Sequence, residues 1–350
     1  MFRINRTTNR PLRGTPWGKR LLILLLTLYP ALLVVLSLVN TLQPRRTGLL
    51  ALTEVFAPYL FMPLLLIAPF ALMRKAWLLR VALLVCVVLF CVRFPPKLVA
   101  SVPQATPGAI QLSAMHWNVM LGGNYDKMIE VLRTKPASIV SMVEADWIRL
   151  STDYEVGALY PYRFGDEKSG PVSGQALLST YPIIEEGVLD EMPGLWGAPR
   201  VIWARLDVGL GRNVIVVVAH PPPGRFCGRS TFPNRCYDTT LRDKRLAAIN
   251  AFVQPFVKSG DSLLLLGDFN VTEREPAYTD LSAGLVDSQL SAGTDTGLTW
   301  RPASLMDKNL AILRIDYMFS SPNVLPLATS VDCTPRGSDH CIVHGRFEVP

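Results

Sequence analysis

Eight polar side chains stand where apolar runs stop. The stretch "SLLLLGDFNVT" (262–272) runs Leu263 to Leu266 into Gly267 and then presents Asp268 and Asn270. Asn118 follows the apolar part of "AIQLSAMHWNVM", Glu144 that of "ASIVSMVEA", and His220 closes "NVIVVVAH". Asp316 lies in "RIDYMF", and Asp339 and His340 precede "CIVHGRFEV". Carboxylate and amide oxygens suit divalent cations such as Mg2+ or Mn2+. Imidazole gives or takes a proton near neutrality. Each fragment alone has a plainer reading. GDFN can be an Asx-type turn capping a strand, and SDH a solvated surface triplet. His116 shares a strand face with Asn118, and His344 lies inside the last apolar run; both read as structural.

These fragments need elements to carry them. From residue 110 onward, alternating and fully apolar runs predict strands at "AIQLSAMHWNVM", "ASIVSMVEA", "GQALLSTYPI", "RVIWARLDV", "NVIVVVAH", "SLLLLGDFN", "RIDYMFS" and "CIVHGRFEV". Helical spacing appears in "NYDKMIEVLRT" and "LRDKRLAAINAFVQPFV". Strands and helices recurring over 110–350 predict one α/β domain with a two-layered β core. Polar groups at the ends of buried strands can then meet at one rim, on a stiff platform.

The N-terminal third differs. Residues 1–100 carry 13 Lys/Arg and one acid, Glu54, whereas residues 101–350 carry 22 Lys/Arg and 27 Asp/Glu. The net charge of +7 therefore belongs to the apolar third, and the acidic remainder disfavours a phosphate-gripping nucleic-acid binder. Uncharged runs at 21–39 and 55–73, and a third at 76–92 holding only Arg80, predict a membrane anchor over 1–92 with three transmembrane helices. The third run is long enough if Arg80 reaches the interface. Arg3, Arg6, Arg10, Arg13, Lys19 and Arg20 predict a cytoplasmic N-terminus. Three crossings would put residue 93 onward on the extracytoplasmic face of a cell (inner) membrane. Arg45 and Arg46 then fall on the outer side, against the charge rule. Residues 93–109 read as a linker rich in Pro, Ser and Ala.

"WNV" (117–119), "SMVEAD" (141–146), "AH" (219–220), "GDFN" (267–270), "RIDY" (314–317) and "SDH" (338–340) occur in this order. Together they resemble the endonuclease/exonuclease/phosphatase superfamily, which holds deoxyribonuclease-I-like nucleases, inositol polyphosphate 5-phosphatases and bacterial sphingomyelinases. The resemblance spans roughly 110–350 and implies an α/β (α+β) fold, a four-layered α/β/β/α sandwich. Val143 departs from the Gln that many members carry there. The resemblance implies that Glu144 binds Mg2+ or Mn2+, with Asn118 supplying a neutral oxygen and Asp339 a further contact. It implies that Asp268 orients or deprotonates the attacking water and that Asn270 holds that water or a phosphoryl oxygen. His340, paired with Asp316, would contact the scissile phosphate, and His220 would donate to a phosphate oxygen. Phosphoester hydrolysis asks for such a set.

The insert after His220 adds detail. Cys227 and Cys236 bracket "CGRSTFPNRC", and outside the cytoplasm they can pair, as can Cys333 and Cys341. Arg225, Arg229 and Arg235 predict a basic loop over the site that reads an anionic head group. Leu195 and Trp196 sit in a Pro/Gly-rich stretch that reads first as a simple packed loop, with dipping into a membrane interface as the alternative. A tethered hydrolase meets lipids at high effective concentration. The expected substrate is therefore a phosphate ester or pyrophosphate of a membrane lipid, a phospholipid or polyprenyl phosphate, with no obligate protein partner. The alternatives are a membrane-tethered nuclease and a non-catalytic membrane scaffold.

Overall fold

The computed structural model describes residues 16–73, 75–95, 103–166, 174–189, 201–226 and 237–350. The chain divides into two compact units, Met1–Pro44 with Phe56–Lys97 and Arg45–Val55 with Leu98–Pro350.

Among the described residues of the first hundred lie the helices α1 (Pro16–Leu42), α2 (Gly48–Val55), α3 (Leu64–Ile67) and α4 (Trp77–Arg93). Among the described residues one helix, Trp17–Leu42, is long and apolar enough by itself to cross a membrane. The expected bundle of three transmembrane helices is thereby corrected. The second run is a chain of short pieces: a 3-10 turn at Ala57–Phe61, α3, and another 3-10 turn at Ala68–Leu72. Pro58, Pro63 and Pro69 each lack the N–H that a continuous helix needs. The third, α4, has 17 residues, about 26 Å of rise against a hydrocarbon core of roughly 30 Å. Arg80 donates to the carbonyls of Ala71, Leu72 and Met73, satisfying the end of the preceding turn. Leu33, Phe61, Leu64 and Cys86 form one buried cluster of this unit, and Ala71, Ala76 and Leu79 another.

The second unit opens with β1 (Ile110–Asn118), α5 (Tyr125–Thr134), β2 (Ile139–Ala145), α6 (Trp147–Thr152), α7 (Tyr154–Leu159), β3 (Tyr162–Gly165) and β4 (Gly174–Ser179). It continues through β5 (Ile183–Leu189), β6 (Val201–Gly209), β7 (Arg212–Ala219), β8 (Arg225–Phe226), β9 (Tyr237–Asp238), α8 (Thr240–Ser259) and β10 (Leu263–Asp268). The remaining elements are α9 (Pro276–Ser282), β11 (Val286–Asp287), α10 (Ser288–Ala292), β12 (Asp316–Ser320), β13 (Leu325–Asp332) and β14 (Ile342–Val349).

Among the described residues two six-stranded sheets result, ordered β13-β14-β1-β2-β4-β3 and β11-β12-β10-β7-β6-β5. Their facing sides bury Leu112, Ile139, Leu177, Val216, Leu264 and Phe347 among others. On the outer side of the first sheet, α5 to α7 bury Met128, Leu132, Trp147 and Val156. On that of the second, α8 and α9 bury Leu246, Ile249, Val253 and Leu281. The layers are therefore α/β/β/α, a mixed two-sheet sandwich. Fully apolar runs such as Leu263–Leu266 fit, because a strand covered on both faces has no polar side to show.

Register explains why polar residues collect at one end. β1 and β2 run parallel with Asn118 opposite Val143, and β7 and β10 run parallel with Ala219 opposite Gly267. β14 is antiparallel to β1, and β12 to β10 with Asp316 opposite Asp268. The starts of β12 and β14 thus lie beside the ends of β10 and β1. Among the described residues Cys333 and Cys341 form a disulfide that closes the loop before β14. Cys227 and Cys236 lie outside the described residues.

Gly267 is dictated by packing: a Cβ there would meet the Ala219 carbonyl oxygen at 2.1 Å. Gly267→Ala should therefore force β7 and β10 apart and cost about 2 kcal/mol or more. Thermal unfolding should show a clear drop in midpoint, and an unchanged midpoint would contradict this tight pairing.

Candidate active site

Asn118 joins the two sheets. Its Nδ2 donates to Glu144 Oε1 at 3.0 Å and to Asp268 Oδ2 at 3.0 Å. Its Oδ1 accepts from the Met120 N–H at 2.9 Å, which fixes the orientation of the amide. Asn118 is 1% exposed, so both bonds operate where water competes little.

Glu144 stands on a local irregularity. The pairing of β2 with β4 shifts between Val143 and Ala145, and Glu144 takes a left-handed φ of 55°. The turn after β1 is also left-handed, with φ 60° at Met120 and 49° at Leu121. That turn brings the Leu121 N–H to Glu144 Oε2 at 3.0 Å. Asn270 has φ 52°, its N–H donates to Asp268 Oδ1 at 3.0 Å, and its Nδ2 to the Pro221 carbonyl at 3.0 Å. Left-handed backbone at non-glycine residues costs on the order of 1–3 kcal/mol each and persists where surrounding structure enforces it.

Two histidines complete the ring around Asp268. His220 Nε2 lies 3.3 Å from Asp268 Oδ2 and 3.7 Å from Glu144 Oε1. His340 Nε2 lies 3.6 Å from the same Asp268 oxygen, while its Nδ1 holds Asp316 at 2.9 Å. Asp339 Oδ1 is 4.0 Å from His340 Nε2, and its Oδ2 accepts from Trp300 Nε1 at 3.0 Å. Ser338 ties this segment to β1, donating to the Asn118 carbonyl and accepting from the His340 N–H. The eight residues marked in the sequence thus lie in one linked constellation.

Burial alone would lower the His340 pKa, but the carboxylates of Asp316 and Asp268 outweigh it and push it up to about 10. Asp316 moves the other way: burial would raise it, yet His340 and His116 hold it well below the usual carboxylate range. The pair is therefore imidazolium and carboxylate at neutral pH.

His116 is the residue that sequence reading left as structural. It is fully buried, with Nδ1 3.0 Å from Ser141 Oγ and Nε2 3.4 Å from Asp316 Oδ1. It supports the far side of the carboxylate that holds His340. Its place two residues before Asn118 was the available signal, since alternate residues share a strand face. Arg242 was also missed. It is 1% exposed and donates to the Asn270 carbonyl at 2.7 Å and to Glu275 at 2.7 Å.

The donor set fits a hard divalent cation. Ligand atoms of Asp268, Asp316 and His340 lie within 4.8 Å of one another. Asp316, however, is already engaged by two imidazoles and wholly buried, whereas the Glu144 side chain is 24% exposed and Asp339 27%. Carboxylates open to water suit a cation that keeps part of its hydration, so Glu144 is the better placed ligand. Of the basic insert only Arg225, on β8, is described. Arg229, Arg235, Leu195 and Trp196 lie outside the described residues.

Residues 115–340 match the model of the Endonuclease/Exonuclease/phosphatase family. The chain belongs to that family. Like its members it is a metal-dependent phosphoric ester hydrolase. No curated protein matches the sequence. Among solved structures, an endonuclease/exonuclease/phosphatase from Bacteroides vulgatus is 17% identical with a TM-score of 0.53, covering 69% of this chain and 100% of its own. A truncated Caenorhabditis elegans TDP2 is 17% identical at 0.52, with 69% and 98% covered. The mannosyl-6-phosphatase Bt3783 of Bacteroides thetaiotaomicron is 17% identical at 0.50, with 67% and 99% covered. At such identity the likeness is one of fold.

The His340–Asp316 pair sets a pH dependence. A group whose folded pKa is raised contributes stability that is complete below its unfolded value, roughly 6.5. For His340 that contribution is lost as pH rises through about 10. Asp316 contributes above the ordinary carboxylate range and loses its share as pH falls through its depressed value. In chelator-treated protein the difference in unfolding midpoint between wild type and His340→Gln should shrink from pH 6.5 toward pH 10. A constant difference across that window would contradict the pairing.

Proposed function

We propose that this chain is a membrane-anchored phosphoesterase acting on a lipid-linked phosphate ester or pyrophosphate at the extracytoplasmic face, with Mg2+ or Mn2+. The observation that carries the chemistry is the convergence on Asp268 Oδ2 of the Asn118 amide and the two imidazoles of His220 and His340. In this reading Glu144 and Asp339 would hold the cation, which would supply positive charge to the phosphoryl oxygens. Asn118, expected from the sequence to offer an oxygen to the cation, turns its Nδ2 toward Glu144 and Asp268 and so orients those carboxylates instead. Asp268 orients the attacking water and accepts its proton. Asn270 holds that water or a phosphoryl oxygen in line. His340 is kept charged and oriented by Asp316, and donates from Nε2 to the phosphate. His220 donates to a second oxygen.

The lipid assignment draws on the first unit. Trp17–Leu42 has a mean hydropathy of 2.7 over its most apolar window. With the basic residues before it kept cytoplasmic, the helix delivers residue 43 to the outer side. In the proposed domain plan, 1–92 is the anchor, 93–109 the linker and 110–350 the catalytic domain. The pieces over 57–72 and α4 would then dip into the bilayer and return.

The test uses the full chain in detergent micelles with Mg2+ or Mn2+. It is offered a polyprenyl pyrophosphate, a phosphodiester lipid and plasmid DNA, beside Asp268→Asn. Turnover of a lipid substrate is expected, abolished by chelation and reduced about 10³-fold in the variant. Cleavage of DNA with both lipids untouched would replace this reading with the nuclease, and silence on all three would overturn the lipid assignment.

A further inference from the structure

The segment Arg45–Val55 lies between two apolar runs, yet it belongs to the catalytic unit. Its contacts there are specific. Arg46 pairs with Asp280 at 2.6 Å and Asp243 at 3.7 Å, and its carbonyl accepts from Thr239 Oγ1 at 2.6 Å. At the other end of α2, Arg274 donates from Nε to the Glu54 carbonyl at 3.0 Å and from Nη2 to the Val55 carbonyl at 2.9 Å. These carbonyls lie in the last turn of the helix, so Arg274 caps α2 from outside. Ala51, Glu54 and Val55 are buried.

The cap sits on the catalytic loop. Arg274 is four residues beyond Asn270 and next to Glu275. Glu275 accepts from the Thr272 N–H at 2.8 Å and from Arg242 at 2.7 Å, and Arg242 in turn holds the Asn270 carbonyl. A strained residue, Asn270, is thus braced by a short buried network, and Arg274, the neighbour of its member Glu275 along the chain, grips α2.

We propose that residues 45–55 are a strap that positions the Asn270 loop, with Arg274 and Arg46 as its positioning residues. The chain passes between the two units at 44–45 and again at 55–56, so the strap is continuous with the apolar segments on both sides, while Arg274 holds it to the active loop by hydrogen bonds. It also gives Arg46 a reason to lie beside the catalytic unit against the charge rule, because Asp280 and Asp243 neutralise it. The proposal rests on the assignment of Asn270 to the reaction.

The test is steady-state kinetics of the full chain in detergent on a small soluble phosphoester such as a nitrophenyl phosphodiester, where membrane access plays no part. Asn270→Ala is the control. If it keeps full activity, the assignment of Asn270 fails. If it loses activity, Arg274→Ala should lower kcat about tenfold with KM unchanged, and Arg274→Lys should restore part of it. Arg46→Glu and Asp280→Arg should each lower kcat, and the double exchange should recover it. An Arg274→Ala enzyme with wild-type kcat beside an inactive Asn270→Ala, or a double exchange no better than its singles, overturns the strap.

Discussion

One carboxylate oxygen, Oδ2 of Asp268, is the constraint from which the rest of the catalytic unit can be understood. It is buried, and it draws the Asn118 amide from the opposite sheet and two imidazoles from the loops after β7 and before β14. A buried carboxylate is costly unless such donors surround it. Supplying them requires the two sheets to end at the same rim, which parallel β1/β2 and β7/β10 pairs achieve. It requires β10 to approach β7 so closely that only Gly267 fits, and it requires left-handed turns at Leu121, Glu144 and Asn270 to aim the remaining groups. Strain gathered at one rim of a well-packed sandwich is the pattern expected of a preorganised site.

Behind that oxygen lies a second tier. Asp316 is held between His340 and His116, and Ser141 holds His116 from behind. Arg242 and Glu275 do the equivalent for Asn270. These groups would not touch a substrate; they limit how far those that do can wander. The two tiers come from both sheets, so neither sheet alone carries the site.

Much of this was legible in the sequence, and the failures have physical reasons. Greasy runs ending in Asp268, His220 and Glu144 signalled buried strands, because the period and the sudden polarity are local properties. The partner of His116 was not legible, since Asp316 reaches it only through the packing of two sheets. The bulge at Glu144 was hidden for the same reason: left-handed backbone at a glutamate is imposed by neighbours. The anchor was misread where hydropathy alone was the guide. Pro58, Pro63 and Pro69 break a run that composition presents as one span, and α4 is too short for another. Residues 48–55, apolar except for Thr53 and Glu54, gave no sign of belonging with β9 and Arg274 rather than with the helices around them.

The central claim is that Glu144, steered by the Asn118 amide and the Leu121 N–H, would bind the cation beside the Asp268 carboxylate. Anomalous diffraction from Mn2+-soaked crystals of the full chain tests it most directly. The account predicts a manganese peak in direct contact with the Glu144 carboxylate, lost in Glu144→Gln while the fold stays intact. A peak seated instead between Asp316 and His340, with Glu144 uncoordinated, would contradict it.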